Sequence, residues 1–225
     1  MSKIINPRPE INAEMMAKFT AMKDVLSISC VMTDAQDRDN VMRSDIKFRT
    51  VNKPFIGPAL TVKLTAGDIV DCLDIFEIAQ PGDVVVIDAF GETETSIWGG
   101  LMSGLATTAG IVGAVVDGSV RDTDESKLMD FPIASKVVSP RAAHSAYSGR
   151  TEPIEINGPI SCGGVIVHPG DLVVADEIGV TIVPSSDFAE VYEKAKEQAE
   201  KEEATRKMIA EGWSVKQLLE KFGRI

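Results

Sequence analysis

The residues with the clearest chemical potential are an arginine and two acids that follow an apolar run. Residues 111–116 carry no charge, and Arg121, Asp122 and Glu125 come shortly after them. Ligands of α/β proteins collect beyond the carboxyl ends of strands, so this position suits a site. If a helical turn begins near Arg121, Asp122 and Glu125 lie three residues apart on one helix face. Carboxylate oxygens at this spacing suit Mg²⁺ or Mn²⁺, whereas a zinc site needs thiolates or histidines that are missing here. Arg121 beside a metal-bound acid would favour a bound carboxylate or a developing enolate.

The alternative interpretation is a helix start that carries acids and one surface ion pair. Acidic side chains are common at helix N-termini because they complement the helix dipole. The spacing alone leaves both interpretations open.

A second group of residues, Gly99, Gly100, Leu101 and Met102, enters an expected helix. Two glycines let the backbone approach a ligand closely, and the free amides of Leu101 and Met102 then point outward at the positive end of the dipole. This pattern predicts an anion-binding site. The glycines could instead serve close packing, and neither the dinucleotide fingerprint nor the Walker lysine is present.

The elements that must position these groups alternate between strands and helices. The pattern predicts an α/β core, with several further strands after Asp130. The expected strands are 59–64, 84–88, 111–116, 133–138, 153–156, 164–167, 172–176 and 180–183, and the expected helices are 68–80 and 100–109.

Helices are expected at both ends of the chain. Asn12 can cap a helix that runs to Met22, and a second short helix is expected over 33–38. After Asp187 the chain reads as a helical hairpin, in which Ser214 and Gln217 form a capping box. We therefore expect an α/β domain over 1–186, including the N-terminal helices, and a helical extension over 187–225.

Composition narrows the classes of function. The chain has 225 residues, 44% of them hydrophobic and 25% charged, with a net charge of -11, which is ordinary for a globular protein. An acidic surface disfavours nucleic-acid binding. The three cysteines, Cys30, Cys72 and Cys162, fit a reduced compartment, so a cytoplasmic location is expected. The uncharged stretch 95–116 could span a membrane by length, but its glycines and acidic flanks favour a buried helix and strand.

The spacing of the two groups resembles a family pattern. Gly100, twenty intervening residues, Arg121-Asp122, two residues and Glu125 match the G-x20-R-D-x2-E/D motif of the RraA-like family. Supporting matches occur in family order from about 26 to 184, among them Pro81-Gly82-Asp83, Asp117-Gly118 and Cys162-Gly163-Gly164. The family includes class II pyruvate aldolases acting on 4-hydroxy-4-methyl-2-oxoglutarate, and the regulator of ribonuclease activity A.

The resemblance implies a fold, an assembly and roles for the residues. It implies a swivelling α/β sandwich that forms a homotrimer or homohexamer with sites between subunits. Asp122 would hold Mg²⁺ or Mn²⁺, the Leu101 and Met102 amides at the Gly99-Gly100 turn would hold the substrate carboxylate, and Arg121 would steady the enolate oxygen. The best-known aldolases of the family carry an acid where this chain has Gly100, and we expect Glu125 to take over its role.

Two functions from different classes follow. The first is a metal-dependent carbon–carbon lyase acting on a small 2-oxo acid, by retro-aldol cleavage to pyruvate or by decarboxylation of oxaloacetate. Its rival is a regulator that binds a ribonuclease through its acidic surface, or a non-catalytic relative that binds a 2-oxo acid. The Arg121-Asp122 pair discriminates between them, since a regulator needs no metal ligand beside an arginine. Neither nucleic-acid nor membrane binding is expected.

Overall fold

The computed structural model describes residues 3–64, 72–142 and 154–223. Its strands are β1 (Lys3–Ile5), β2 (Lys47–Phe48), β3 (Phe55–Lys63), β4 (Val84–Trp98), β5 (Gly113–Val120), β6 (Ile133–Val138), β7 (Ile154–Ile156), β8 (Ile160–Cys162), β9 (Val165–Val167), β10 (Leu172–Ala175) and β11 (Val180–Val183). Its helices are α1 (Ala13–Thr20), α2 (Ile28–Asp34), α3 (Ile75–Ile78), α4 (Gly100–Thr108), α5 (Thr123–Leu128), α6 (Phe188–Ala210) and α7 (Val215–Phe222).

Four parallel strands, β3, β4, β5 and β6, form the centre of the main sheet. The order across this sheet is β1-β7-β3-β4-β5-β6-β2. The start of β3 also pairs antiparallel with β10, which pairs with β11. The central strands are rich in valine and isoleucine because both of their faces are buried. Their shared direction brings their carboxyl ends to one edge of the sheet.

Three apolar clusters hold the layers together. One lies between the sheet and helices α3 and α4, and includes Ile87, Trp98 and Ala106. A second fills the space between the other face of the sheet and strands β8 to β11. In the third, helices α1, α2 and α6 cover the outer face of β10 and β11, where Phe19 packs edge-on against Phe188.

The predicted α/β fold class is confirmed, and several elements match closely. Strands β6 and β11 and the start of α4 at Gly100 fall where the sequence predicted them. Asn12 caps α1 by accepting a hydrogen bond from the Met15 amide. Ser214 and Gln217 form the predicted capping box of α7. These signals were local, so the sequence carried them.

Other boundaries were wrong. The second helix is Ile28–Asp34 rather than 33–38, because the chain turns left-handed at Asp37 and Arg38. Strand β4 continues to Trp98 through β-bulges, and β5 continues past Asp117 to Val120. The expected helix over 68–80 lies partly outside the described residues, and its described part is helical only over Ile75–Ile78.

The C-terminal helices pack on the body of the chain. Val191 and Ala195 of α6 are buried in the cluster shared with α1 and α2, and Leu218 of α7 is also buried. The division between 186 and 187 stays a prediction. In the part of the chain that the structure describes, no helix combines the length and apolar character needed to cross a membrane.

Candidate functional site

The first half of the candidate site is the junction between β4 and α4. Gly99 is the extended N-cap of α4, and its carbonyl accepts the Ser103 amide at 3.1 Å. The amides of a helix's first turn have no acceptor within the helix. The Gly100 amide donates to Asp122 Oδ2 at 3.1 Å, and the Leu101 and Met102 amides are left for a ligand. The helix start lies where the sequence predicted it, and its binding of an anion stays a prediction.

The second half is the junction between β5 and α5. The Arg121 amide donates to the Trp98 carbonyl at 2.8 Å, which ties the two junctions together. Asp122 is the N-cap of α5 in a left-handed conformation, with φ 50° and ψ 41°. Backbone strain of this kind in a non-glycine residue clusters at functional sites. Asp122 therefore stands just before the helix, not within its first turn as the sequence suggested.

Arg121 and Asp122 form an accessible pair. Arg121 Nε lies 3.4 Å from Asp122 Oδ2, and both side chains are about 40% exposed. Both contacts of Asp122, to Gly100 and to Arg121, use Oδ2. Oδ1 of Asp122 and the terminal nitrogens of Arg121 can thus reach a metal ion or a substrate oxygen.

The two glycines make room for the two carboxylates. A Cβ atom at Gly99 would lie 2.7 Å from Asp122 Oδ2, and a Cβ atom at Gly100 would overlap the carboxyl group of Glu125. The Glu125 carboxyl group therefore occupies the space that a side chain at position 100 would need. Close packing, one of the two alternatives that the sequence left open, therefore applies to this glycine pair, and the anion-binding turn stays a prediction.

The structure brings all of the predicted site residues to one place. Leu101 is 80% exposed and Met102 only 5% exposed, so the Met102 side chain anchors the turn in the core. The roles assigned to these residues, as ligands of a metal or a substrate, stay predictions.

Sequence reasoning missed a buried chain of hydrogen bonds beneath the site. The Trp98 indole donates to Ser103 Oγ at 2.9 Å, and Ser103 Oγ lies 2.8 Å from Ser126 Oγ. Ser126 Oγ in turn donates to the Asp122 carbonyl at 3.2 Å. The sequence carried no signal for this chain, because serines in helices are usually unremarkable.

A buried charged group under strands β8 and β9 was also missed. Asp117, in β5, accepts Arg43 Nη2 at 3.0 Å and the Gly163 amide at 2.8 Å. Asp88 faces it from the neighbouring strand, and burial raises the pKa of the Asp88 carboxyl group. Burial likewise raises the pKa of the Cys162 thiol well above its ordinary value, so this thiol is protonated and unreactive.

Arg121 and Asp122 lie on a solvent-accessible part of the surface, called the shelf below, since each side chain is about 40% exposed. One cavity of about 460 Å³ lies between the end of α2 and α6, and another of about 420 Å³ lies beside α2 and β11. Neither is lined by Arg121, Asp122 or Glu125.

Comparison with known proteins gives a consistent match. Residues 25–182 match the family model described as "RraA-like: Aldolase/RraA". A protein of Halalkalibacterium halodurans named "Putative 4-hydroxy-4-methyl-2-oxoglutarate aldolase" is 40% identical over 205 residues, which cover 91% of this chain and 95% of that protein.

Solved structures show the same fold. The crystal structure of an uncharacterized protein from Pseudomonas syringae aligns with a TM-score of 0.76 at 25% identity, covering 93% of this chain and 98% of that one. The RNA-processing inhibitor RraA from Thermus thermophilus aligns with a TM-score of 0.61 at 24% identity, covering 69% of this chain and 92% of that one.

Proposed function

Since this chain belongs to the RraA-like family, we propose that it is a carbon–carbon lyase that depends on a divalent metal and releases pyruvate. The substrate is a 4-hydroxy-2-oxo acid such as 4-hydroxy-4-methyl-2-oxoglutarate, or oxaloacetate, which would be decarboxylated. One observation carries the proposal: the free amides of α4 and the Arg121-Asp122 pair meet at a single junction. The relative named as an aldolase adds support.

The residues present fit a hydrated Mg²⁺ or Mn²⁺ ion. Asp122 and Glu125 offer hard carboxylate oxygens on an accessible shelf. No group of three or more His, Cys, Asp or Glu in the described ranges could hold an ion. Mg²⁺ commonly keeps several waters and binds through one or two carboxylates. Asp122 would therefore hold the ion, with Glu125 at its water shell.

Each residue of the shelf has a task in the cleavage. The Leu101 and Met102 amides bind the C1 carboxylate of the substrate. In the retro-aldol cleavage the C4 hydroxyl gives its proton to a water molecule and C4 becomes the carbonyl carbon of the second product as the C3–C4 bond breaks. The electron pair of that bond forms the C2–C3 double bond of an enolate, and Arg121 donates hydrogen bonds to the charge that develops on the 2-oxo oxygen. Return of a proton from water to C3 gives pyruvate; in the decarboxylation of oxaloacetate, CO₂ leaves in place of the carbonyl product. When bound, the metal ion supplies Lewis-acid stabilisation of the same charge. The chain has no lysine between 99 and 125 for a Schiff-base route.

The test is a coupled assay of pyruvate release from both substrates with added Mg²⁺. Activity should vanish with excess EDTA and return with Mg²⁺ or Mn²⁺. Asp122→Ala should abolish turnover without unfolding the chain, because this side chain is 40% exposed. Asp124→Ala, an exposed neighbour on α5, is the matched control. Full turnover in EDTA would overturn the proposal.

The rival function, binding and inhibition of a ribonuclease, needs neither the free amides of α4 nor the Asp122 carboxylate. Its support is the net charge of -11, which suits a basic partner. If wild-type protein lacked lyase activity and inhibited a ribonuclease equally well after Asp122→Ala, the rival would be favoured.

We also propose that the protein assembles as a homotrimer or homohexamer in which a neighbouring copy completes the site. Leu101, Leu105 and Leu128, on the two helices that carry the site, are 80%, 47% and 90% exposed. Exposed apolar side chains gathered on one face mark protein interfaces.

A further inference from the structure

The buried hydrogen-bond chain beneath the shelf connects the three elements that form it. Trp98 is the last residue of β4, Ser103 lies in α4, and Ser126 lies in α5. All three side chains are fully buried. The chain ends at the main-chain carbonyl of Asp122, the expected metal ligand.

The chemistry of the indole fixes the donor at the start of this chain of hydrogen bonds. An indole N–H can only donate, so Ser103 Oγ accepts from Trp98. Ser126 Oγ donates to the Asp122 carbonyl, and its lone pairs are then free to accept the Ser103 hydroxyl at 2.8 Å. In the alternative arrangement Ser126 donates to Ser103 Oγ, and Ser103 donates to the Gly99 carbonyl at 3.4 Å. Both arrangements join the two helices through the same pair of hydroxyls.

Trp98, where this chain of hydrogen bonds begins, is held rigidly by other aromatic rings. The Trp98 ring stacks on Phe131, with centroids 6.0 Å apart and planes 1° apart, and meets Phe76 edge-on. Asp122, where the chain of hydrogen bonds ends, is strained, because its backbone angles are left-handed. Such angles persist only where the surroundings over-determine them. A buried hydrogen bond is stronger than an exposed one, so this chain can supply that restraint.

We infer that Ser103 and Ser126 are positioning residues that set the Asp122 carboxylate against the amides of α4. The inference rests on the proposed function, since it concerns the binding of a metal ion at Asp122. Ser103 belongs to the helix that presents the Leu101 and Met102 amides, and Ser126 belongs to the helix that follows Asp122. The 2.8 Å contact between their hydroxyls therefore fixes one ligand group relative to the other.

If Ser103 and Ser126 had a purely structural role, replacing them would lower the stability of the protein and leave metal binding by the folded protein unchanged. The experiment therefore measures Mn²⁺ binding directly, by the electron paramagnetic resonance signal of free Mn²⁺, on full-length protein that is folded by circular dichroism. The variants are Ser126→Ala and Ser126→Cys, the second of which keeps the volume but weakens the hydrogen bonds. Ser135→Ala is the matched control, because Ser135 is equally buried and donates to the Val137 carbonyl in β6, away from this chain of bonds.

We expect Ser126→Ala to weaken Mn²⁺ binding about tenfold, as is typical when a group supporting a metal ligand is removed. Ser126→Cys should fall between Ser126→Ala and wild type, and Ser135→Ala should bind as wild type does. If Ser126→Ala fails to fold, Ser126→Cys against Ser135→Ala decides the question.

The outcomes separate this inference from the proposed function. Equal Mn²⁺ affinity in wild type and the Ser126 variants would overturn the positioning role and leave the lyase proposal standing. The same weakening in Ser135→Ala would also overturn it, since any buried hydroxyl would then have the effect. If wild-type protein bound no Mn²⁺ and released no pyruvate, the proposed function would fail and this inference with it.

Discussion

Arg121 shows what a single residue can contribute at this site. Its Nε is held by Asp122 at 3.4 Å, and its amide is held by the Trp98 carbonyl at 2.8 Å. The backbone and one side-chain nitrogen of Arg121 are thus fixed. The side chain as a whole is 41% exposed, so the planar end of the guanidinium remains accessible. A fork of this kind can bridge two oxygens at once, whereas a lysine offers a point charge.

Arg121→Lys should therefore lower kcat by about 10²-fold, as removal of one donor to a developing oxyanion does. The measurement is steady-state pyruvate release at saturating Mg²⁺. Arg206→Lys, on α6 and paired with Glu202, is the control and should keep wild-type kcat. An unchanged kcat in Arg121→Lys would show that Arg121 is only a surface residue.

Glu125 is the residue whose role departs most from the family pattern. Its carboxyl group fills the space beside Gly100, the position at which the family resemblance leads us to expect an acid. The chain thus places a carboxylate in nearly the same position from a different helix, α5 instead of α4. The Glu125 carboxyl group thereby keeps negative charge near Asp122, and a hard divalent ion requires such charge.

Glu125→Gln should raise the Mg²⁺ concentration needed for half-maximal activity by about 10–100-fold. Asp124→Asn should do little, because successive residues of a helix point about 100° apart. A Mg²⁺ titration of activity for both variants tests this. Equal small effects, or a larger effect at Asp124, would show that the other face of α5 serves the metal.

At the scale of elements, neighbouring central strands carry charged residues in register. Lys63 of β3 pairs with Asp88 of β4, which pairs with Asp117 of β5. Lys136 of β6 comes within 3.7 Å of Asp117. Burial raises the pKa of the Asp88 carboxyl group, and the nearby Asp117 adds to that effect, while amides of Phe90 and Ser161 and the charge of Lys63 oppose it.

The raised pKa has a defined consequence for stability. Between the ordinary and the raised pKa, native Asp88 keeps a proton that the unfolded chain has released. The contribution of Asp88 to stability therefore falls as pH rises through that interval. Asp88→Asn should remove this fall, because an amide keeps the acceptor for the Phe90 amide without a charge.

Urea unfolding of wild type and Asp88→Asn, from about pH 4 upward, measures the difference. The stability of Asp88→Asn relative to wild type should increase with pH and then level off. Asp124→Asn, which is exposed, should show no such trend. A difference that is constant with pH would mean that Asp88 titrates normally.

The elements also show what sequence alone could predict. The capping box at Ser214 and Gln217 and the strand Ile133–Val138 rest on residues that are neighbours in the chain. In contrast, β5 runs through Asp117 because Arg43 neutralises that acid from 74 residues away. In a local sequence pattern, a charged residue indicates the end of a buried strand, so the strand was predicted to stop at 116.

The same distinction holds for the site. The sequence motif identified four site residues, and the structure places them together. They are Gly100, Arg121, Asp122 and Glu125. The motif could not show that Asp122 stands outside α5, because the left-handed turn lacks the glycine that usually marks one. Contacts between side chains of separate helices, such as Ser103 with Ser126, also leave no local trace.

At the scale of the whole molecule, the two helices that form the shelf carry exposed leucines. Leu128 is 90% exposed on α5, one turn beyond Glu125, and Leu101 and Leu105 are exposed on α4. The charged helix α6 packs elsewhere, on α1 and α2. A second copy of the chain that covered these leucines would bury apolar surface and close the open side of the shelf at the same time.

We therefore expect light scattering at micromolar concentration to give the mass of a trimer or a hexamer. Leu128→Glu should shift the mass toward the monomer, since a buried unpaired charge is costly, and pyruvate release should fall with it. Leu26→Glu is the control: Leu26 is 64% exposed, precedes α2 and carries no part of the shelf, so this variant should keep the wild-type mass. A monomeric wild-type protein would contradict the assembly. A Leu128→Glu variant that keeps both its mass and its activity would place the interface on another face.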